Sequence, residues 1–320
     1  MRRFPAVMVL VALLSSFFSG APRAASCGAE NARLYQGPLF DAMAQIDAGM
    51  EGTVLEMMKR ASVSRMAIFG RSKSKGSGAG DVDALVAAHP DVFVRGSPKI
   101  FDARGDLPSA YVRTVLEGVA SGRYRFVGEI LYAHGDKARG EQTADGERYV
   151  DPSAPGTRKL LAGLAGRSAP LMAHWEVYDW TRDWPLMHAL YGEFPRQVFI
   201  WPHLGFGSVA QAETVLSSHP NVVATLSKKE GYAERSFSDR GKAAALGSAF
   251  VTDGCETLDP GWKAFLARYA DRLMFATDAH KAQRWSEYPR IAERWRRILA
   301  QLPPEVAAKL AYGNADRLYR

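Results

Sequence analysis

Short apolar runs alternate with amphipathic stretches along most of the chain. Eight such runs, each four to eight residues long, follow one another after residue 38. They are residues 39–46, 66–69, 92–96, 126–131, 170–174, 197–201, 222–226 and 273–276. Runs of this length that are mostly apolar are typical of strands covered on both faces. The pattern therefore predicts eight buried β-strands.

The segments between these runs have the spacing of amphipathic helices. The predicted helices span residues 52–62, 81–89, 107–121, 155–166, 184–194, 208–218, 260–269 and 288–302. Pro260 suits a first helical turn, because proline lacks only an N–H that would be unpaired there. Several connections back to the next strand contain proline or glycine, as expected of turns.

Eight strand–helix units predict an α/β fold, a (β/α)8 TIM barrel. A doubly wound sheet is the main competitor, but it needs fewer strands and commonly a glycine-rich phosphate turn after the first one. The glycine-rich stretch at residues 76–80 instead follows the second strand, within a basic segment. We interpret that stretch as a loop over the barrel mouth.

The first 26 residues have the pattern of a secretory signal. Arg2 and Arg3 precede an apolar stretch at residues 7–18, and small residues follow at 24–26. The apolar stretch is shorter than a membrane-spanning helix requires, although a signal anchor is the alternative. We expect residues 1–26 to be removed and residues 27–320 to form a single barrel domain, exported to the periplasm or secreted.

Composition narrows the classes of protein further. The chain has 41 basic and 34 acidic residues, a net charge of +7, and a 47% hydrophobic fraction, which is an ordinary globular balance. Loss of Arg2, Arg3 and Arg23 with the signal leaves 38 basic residues against 34, or +4. That charge gives no reason to expect nucleic-acid binding. We expect a small-molecule substrate, and the sequence does not indicate an oligomeric state.

The two cysteines leave alternatives open. Cys27 follows the predicted cleavage region, where lipidation would tether the protein to a membrane; we expect no other stable membrane association. Cys27 could instead pair with Cys255 in an oxidising compartment, or both thiols could stay unpaired.

Polar residues stand at the ends of several predicted strands. Chemistry in such barrels gathers at the carboxyl ends of the strands. His174, His203 and Asp278 end the fifth, sixth and eighth strands. Imidazole and carboxylate groups are ligands for a hydrolytic divalent ion. We therefore predict a site with His174, His203 and Asp278 as metal ligands.

Further candidates surround these three. Asp278, His203 and Lys228 are candidate catalytic residues. The candidate substrate-binding residues are Glu129, His134, Trp175 and Trp201. Glu129 has a second interpretation, a buried salt bridge to Lys99 or Arg95. The tryptophans at 175, 180, 184 and 201 indicate either an aromatic pocket or core packing. We expect the loops at 132–154 and 229–258 to roof the pocket.

In its order of motifs the sequence resembles the amidohydrolase-related family of the amidohydrolase superfamily. The resemblance rests on residues 38–42 (PLFDA), Gly128-Glu129, Ala173-His174, 201–205 (WPHLG), 258–262 (LDPGW), Thr277-Asp278 and 313–318 (GNADRL). It implies a metal-dependent hydrolase or, in some members, a non-oxidative decarboxylase, with Zn-like divalent chemistry at the strand ends.

The chain departs from this family at the first strand. Members usually carry His-x-His after Phe-Asp-Ala, whereas Met43 and Gln45 stand at those positions here. A thioether is a soft neutral ligand and an amide oxygen is a weak one. Three hypotheses follow: a hydrolase of carbon–oxygen or carbon–nitrogen bonds with a degenerate metal site, a metal-independent lactonase-like or decarboxylase-like enzyme in which Lys228 polarises a carbonyl, and a non-catalytic small-molecule binder.

Overall fold

A computed structural model describes residues 33–47, 49–72, 79–101, 103–136, 143–230, 250–252 and 256–320. The predicted signal segment, Cys27 and Cys255 lie outside the described residues. So do residues 76–78 of the predicted glycine-rich loop and most of the loop at 229–258 that was expected to roof the pocket. None of the described helices is long and apolar enough to cross a membrane.

Ten strands occur in the described part of the chain. They are β1 (Leu39–Ile46), β2 (Val63–Ser72), β3 (Phe93–Arg95), β4 (Lys99–Ile100), β5 (Val127–Asp136), β6 (Thr143–Arg148), β7 (Leu171–Trp175), β8 (Phe199–Trp201), β9 (Val222–Thr225) and β10 (Leu273–Met274). All eight predicted strands are present, and all but β1 have shifted ends. The two additional strands, β4 and β6, are outside the barrel series.

Each predicted helix is present in the described residues. The helices are α1 (Glu51–Ala61), α2 (Ala79–Ala88), α3 (Ser109–Ala120), α4 (Pro155–Leu164), α5 (Trp180–Glu193), α6 (Val209–Ser218), α7 (Pro260–Arg268), α8 (Ala282–Ser286), α9 (Tyr288–Leu299), α10 (Pro304–Ala308) and α11 (Asn314–Leu318). Among them, three short helices not predicted from the sequence, α8, α10 and α11, follow the last strand. Pro260 begins α7, and the Asp259 side chain accepts a hydrogen bond from the Trp262 N–H to cap it.

Parallel pairing closes these strands into a barrel. Strands β1, β2 and β3 pair in one sheet, and β5, β7, β8, β9 and β10 pair in another, all in parallel. A parallel bridge between Gly96 and Phe126 joins the two sheets on one side, and one between Ala44 and Ala279 joins them on the other. The chain is therefore a (β/α)8 TIM barrel, as the sequence predicts.

The barrel interior is filled by apolar side chains. The strands contribute Phe40, Ala67, Val94, Met172, Ile200 and Met274, with Phe126 at the start of β5. Tyr319 seals the amino-terminal end of the barrel, where its hydroxyl donates a 2.9 Å hydrogen bond to the Ala42 carbonyl. With this end packed, polar side chains are left to the carboxyl ends of the strands.

The segment at residues 132–154 differs from the loop expected there. Strand β5 continues to Asp136, and β6 returns antiparallel to it, pairing His134 with Arg148. His134 therefore lies on a strand rather than in a loop. The polar sequence of β6, TADGER, lacks the apolar pattern from which strands were predicted.

Candidate active site

Glu129, His174 and His203 meet at the carboxyl ends of β5, β7 and β8. One donor atom from each of the three side chains lies within 4.8 Å of the others. All three residues are at most 3% exposed. The group differs from the predicted ligand set, because Glu129 takes the place assigned to Asp278.

His174 lies between two carboxylates. Its Nδ1 is 2.5 Å from Oε1 of Glu129, and its Nε2 is 3.1 Å from Oε1 of Glu176. Ionised carboxylates only accept hydrogen bonds, so both ring nitrogens carry protons in this arrangement. Burial opposes the charge on the ring, but Glu129 and Glu176 outweigh it and raise the pKa of His174.

The Glu129 carboxylate is held by a cation from the neighbouring strand. Lys99, on β4, forms a buried salt bridge with its Oε2 atom. Burial opposes ionisation, but Lys99 and His174 together hold the pKa of Glu129 well below its usual range. This contact is the salt bridge to Lys99 that was the second interpretation of Glu129, and it leaves Oε1 directed at the histidines.

His203 has a fixed orientation and a neutral ring. Its Nδ1 lies 3.1 Å from the Ser227 carbonyl oxygen and 2.8 Å from the Ser227 hydroxyl. Because a carbonyl oxygen can only accept, the hydrogen resides on Nδ1 and Nε2 keeps a lone pair. Burial and the nearby Lys228 ammonium hold the pKa of His203 well below its usual range.

Asp278 is close to this group but has other partners. Its Oδ1 accepts a 2.6 Å hydrogen bond from the Gln45 amide, and its Oδ2 lies 2.5 Å from Nζ of Lys228. The Nε2 atom of His203 is 3.9 Å from the same Oδ2. Burial opposes ionisation of Asp278, yet Lys228, His280 and His203 hold its pKa well below the usual range.

Several residues of the site adopt backbone conformations that L-residues rarely take. The φ angles of His203, Lys228 and Asp278 are 59°, 60° and 49°. Non-glycine residues at positive φ are strained and cluster at functional sites. These three residues also contact one another, because His203 and Lys228 both lie near the Oδ2 atom of Asp278.

The two predicted substrate-binding tryptophans lie elsewhere. Trp175 and Trp201 are fully buried and stacked, with ring centroids 4.9 Å apart. Trp201 donates its indole hydrogen to the Trp175 carbonyl, and Trp175 donates its own to the Tyr191 hydroxyl. Successive residues of a strand face opposite sides. Trp175 therefore faces α5 while His174 faces the barrel, and both tryptophans belong to the core.

His134 stays beside the site. Its side chain is 29% exposed, its ring lies 5.1 Å from that of His174, and its Nε2 is 4.0 Å from Glu176. His134 is thus at the edge of the mouth, where a substrate can reach it. Its assignment as a substrate-binding residue remains a prediction.

Two residues of the site were not singled out from the sequence. Glu176 is fully buried, contacts His174, and accepts a 3.1 Å hydrogen bond from the Gly135 N–H. Ser227 fixes His203. The spacing of Glu176 two residues after His174 was a usable signal, because such positions share a face of an extended chain. Ser227 offered no signal.

Fold and site together define a hydrolase-type (β/α)8 barrel with acid and imidazole groups at its carboxyl end. A family model described as amidohydrolase matches residues 80–320. The chain belongs to the amidohydrolase family. A search of curated proteins gave no match.

Solved structures show the same fold at low sequence identity. An uncharacterised TIM-barrel protein from Bordetella bronchiseptica is 18% identical with a TM-score of 0.56, covering 83% of this chain and 80% of its own. A probable 2-pyrone-4,6-dicarboxylic acid hydrolase from Acinetobacter baumannii, with citric acid bound, is 10% identical with a TM-score of 0.57, covering 88% and 98%. A beta-aspartyl dipeptidase from Fervidobacterium islandicum is 14% identical with a TM-score of 0.50, covering 88% and 72%.

Proposed function

We propose that the protein hydrolyses a carbon–oxygen or carbon–nitrogen bond of a small molecule, with one divalent ion held by Glu129, His174 and His203. The convergence of one carboxylate and two imidazoles on a buried point carries the proposal. Two of the similar barrels are named as hydrolases, one of a pyrone dicarboxylic acid and one of beta-aspartyl dipeptides. Their names favour the reaction class, and no substrate is carried over from them.

The donor set fits a zinc-like ion because each ligand has an outer partner. Histidine ligands commonly donate their second N–H to a carboxylate or a backbone carbonyl. His203 does so to Ser227, and His174 faces Glu176 with its outer nitrogen. Lys99 occupies the outer oxygen of Glu129. To ligate through Nδ1, His174 has to give up one of its two protons, so we expect proton release on metal binding.

A divalent ion bound there would supply Lewis-acid polarisation of a carbonyl and make water easier to deprotonate. The chain's own contribution is proton transfer and positioning. The Oδ2 atom of Asp278 accepts a proton from the attacking water, while Gln45 holds the other carboxylate oxygen. Asp278 then returns that proton to the leaving oxygen or nitrogen as the substrate bond breaks.

Lys228 and His134 complete the site on the substrate side. The Lys228 side chain is 32% exposed, so its ammonium faces both Asp278 and the mouth. That position allows it to donate a hydrogen bond to the substrate's carbonyl oxygen.

We place this activity outside the cytoplasm, on the strength of the signal-like segment at residues 1–26.

Metal content and turnover of the mature chain, residues 27–320, test this proposal. We expect close to one equivalent of zinc or manganese, lost in Glu129→Gln and His203→Asn but kept in Glu117→Gln, whose side chain is 71% exposed. Less than about a tenth of an equivalent after incubation with metal would refute the metal site.

Asp278→Asn separates the enzyme from a binder. On a panel of esters, lactones and amides, we expect this variant to lose about a hundredfold or more of the turnover, as removal of a general base does. Glu213→Gln, an exposed carboxylate, serves as the control. Ligand-induced thermal stabilisation without turnover by the wild-type protein would instead favour the non-catalytic binder.

A further inference from the structure

The Asp278 carboxylate lies beside His203, whose Nε2 atom is 3.9 Å from its Oδ2 atom, and we call the surroundings of this carboxylate the Asp278 compartment. Its side chain is only 4% exposed. An ionised carboxylate at that depth needs a nearby cation, because desolvation otherwise costs several kcal/mol. The groups that surround it therefore determine which cation the compartment contains.

Strand β1 contributes two neutral side chains to this compartment. Met43 and Gln45 are two residues apart on the strand, so both face the barrel axis. The Met43 sulfur lies 4.0 Å from the Ser227 hydroxyl, and the Gln45 amide donates to Asp278. Neither side chain carries a charge. Imidazoles at the same two positions would face the same carboxylate.

The remaining neighbours leave Lys228 as the cation among the described residues. His280 has its Nδ1 atom 3.7 Å from Oδ2 of Asp278, and this nitrogen also lies 2.6 Å from the Asp278 carbonyl oxygen. Because a carbonyl oxygen only accepts, the Nδ1 hydrogen of His280 is donated to the Asp278 backbone and not to its carboxylate. The Lys228 ammonium, 2.5 Å from the carboxylate, supplies the charge.

We infer that the Lys228 ammonium permanently occupies a second cation position beside Asp278, so that the site takes up one divalent ion and not two. The inference builds on the proposed function for the ion at Glu129, His174 and His203. Like charges a few ångströms apart repel strongly in a buried site. A divalent ion can enter the Asp278 compartment only when Lys228 has left it.

Lys228 therefore determines the number of metal ions. Two histidines introduced by Met43→His and Gln45→His would join Asp278 in a set of two imidazoles and one carboxylate, which suits zinc or cobalt. When Lys228 is present, its ammonium still lies beside the two introduced histidines and Asp278 and opposes a second divalent ion. In the Lys228→Met variant, these three ligands have no ammonium beside them.

The experiment compares four proteins: the wild type, Lys228→Met, Met43→His/Gln45→His, and the triple variant. Each is loaded with Co²⁺, desalted, and measured for metal content and for binding of the second ion by absorbance titration. We expect one ion in the first two proteins and two in the triple variant. The second ion should bind the triple variant at least about tenfold more tightly than the double variant, because the ammonium is gone.

Equal affinity for the second ion in the double and triple variants would overturn the inference. So would a folded triple variant, judged by its circular dichroism and melting curve, that takes up no additional ion. If the triple variant does not fold, the single variant Gln45→His is compared with Gln45→His/Lys228→Met for uptake of the second ion. In each comparison, the measured quantity is the increase in metal content and in affinity for the second ion relative to the protein that retains Lys228. A wild type without metal would refute the proposed metal site, while a gain that depends on Lys228 would still support this inference.

Discussion

Asp41 is a buried acid whose ionisation should weaken the fold. It lies on β1, fully buried against the residues after β10, and burial raises its pKa to about 6 despite four hydrogen bonds. Its Oδ1 accepts from the N–H groups of Met43 and Thr277, and its Oδ2 accepts from the hydroxyls of Thr277 and Tyr288. Asparagine fits this pattern. Its oxygen can accept from the two N–H groups, and its NH₂ group can donate to the hydroxyls of Thr277 and Tyr288 once these rotate to accept.

The magnitude follows from linkage. The folded-state pKa of Asp41 lies above the ordinary value of 3.8. Stability from this group is therefore fully present below about pH 4 and is lost as the pH rises through about 6. A rise of about two units corresponds to roughly 3 kcal/mol. Asp41→Asn cannot ionise, so its stability relative to the wild type should increase by about that amount between pH 4 and pH 8.

Thermal and urea unfolding at several pH values measure this difference. For a chain of this size, roughly 3 kcal/mol corresponds to a shift in melting temperature of about 6 °C. Asp91→Asn, at an exposed position, should show no comparable trend. Asp41→Ala should be less stable at every pH, since it removes the acceptor for four donors. A difference between Asp41→Asn and the wild type that stays flat within about 1 kcal/mol would refute the reasoning.

Three further variants examine the supports of the site. Gly128→Ala should lower stability by several kcal/mol in urea unfolding, because its Cβ would overlap the backbone carbonyl oxygen of Ser97. Lys99→Met removes one of the two cations that hold Glu129 ionised, so we expect a loss of about 3 kcal/mol; an unchanged midpoint would contradict this. Ser227→Ala should weaken the proposed zinc binding about tenfold in calorimetry, with little change in melting temperature, because the His203 ring loses the Ser227 hydroxyl and keeps only the backbone carbonyl as its partner.

The barrel could be predicted from the sequence because its strands are apolar on both faces. Each predicted run overlaps an observed barrel strand, and the first matches β1 at both ends. Strand β6 could not be found in this way. Its residues are polar, and it forms by backbone pairing with β5, which no side-chain pattern reports.

The sequence was sufficient to predict most residues of the site, but not which of their side chains contact one another. Three of its members end apolar strands, which the sequence displays. Glu129 joins the two histidines, while Asp278 bonds to Gln45, 233 residues away along the chain, and the strand ends alone do not indicate either contact. The tryptophans were separable in principle, since the strand alternation that turns His174 inward turns Trp175 outward.

The left-handed residues of the site have a consequence for protein engineering. His203, Lys228 and Asp278 each spend about 1 kcal/mol or more on a conformation that glycine adopts freely. Replacing the neutral His203 with glycine would relieve that strain, whereas loss of Lys228 or Asp278 would break their buried salt bridge. A library selected for heat tolerance alone would therefore favour loss of the His203 side chain while the barrel stayed intact. Stabilised variants of this protein should be screened for metal uptake at every round.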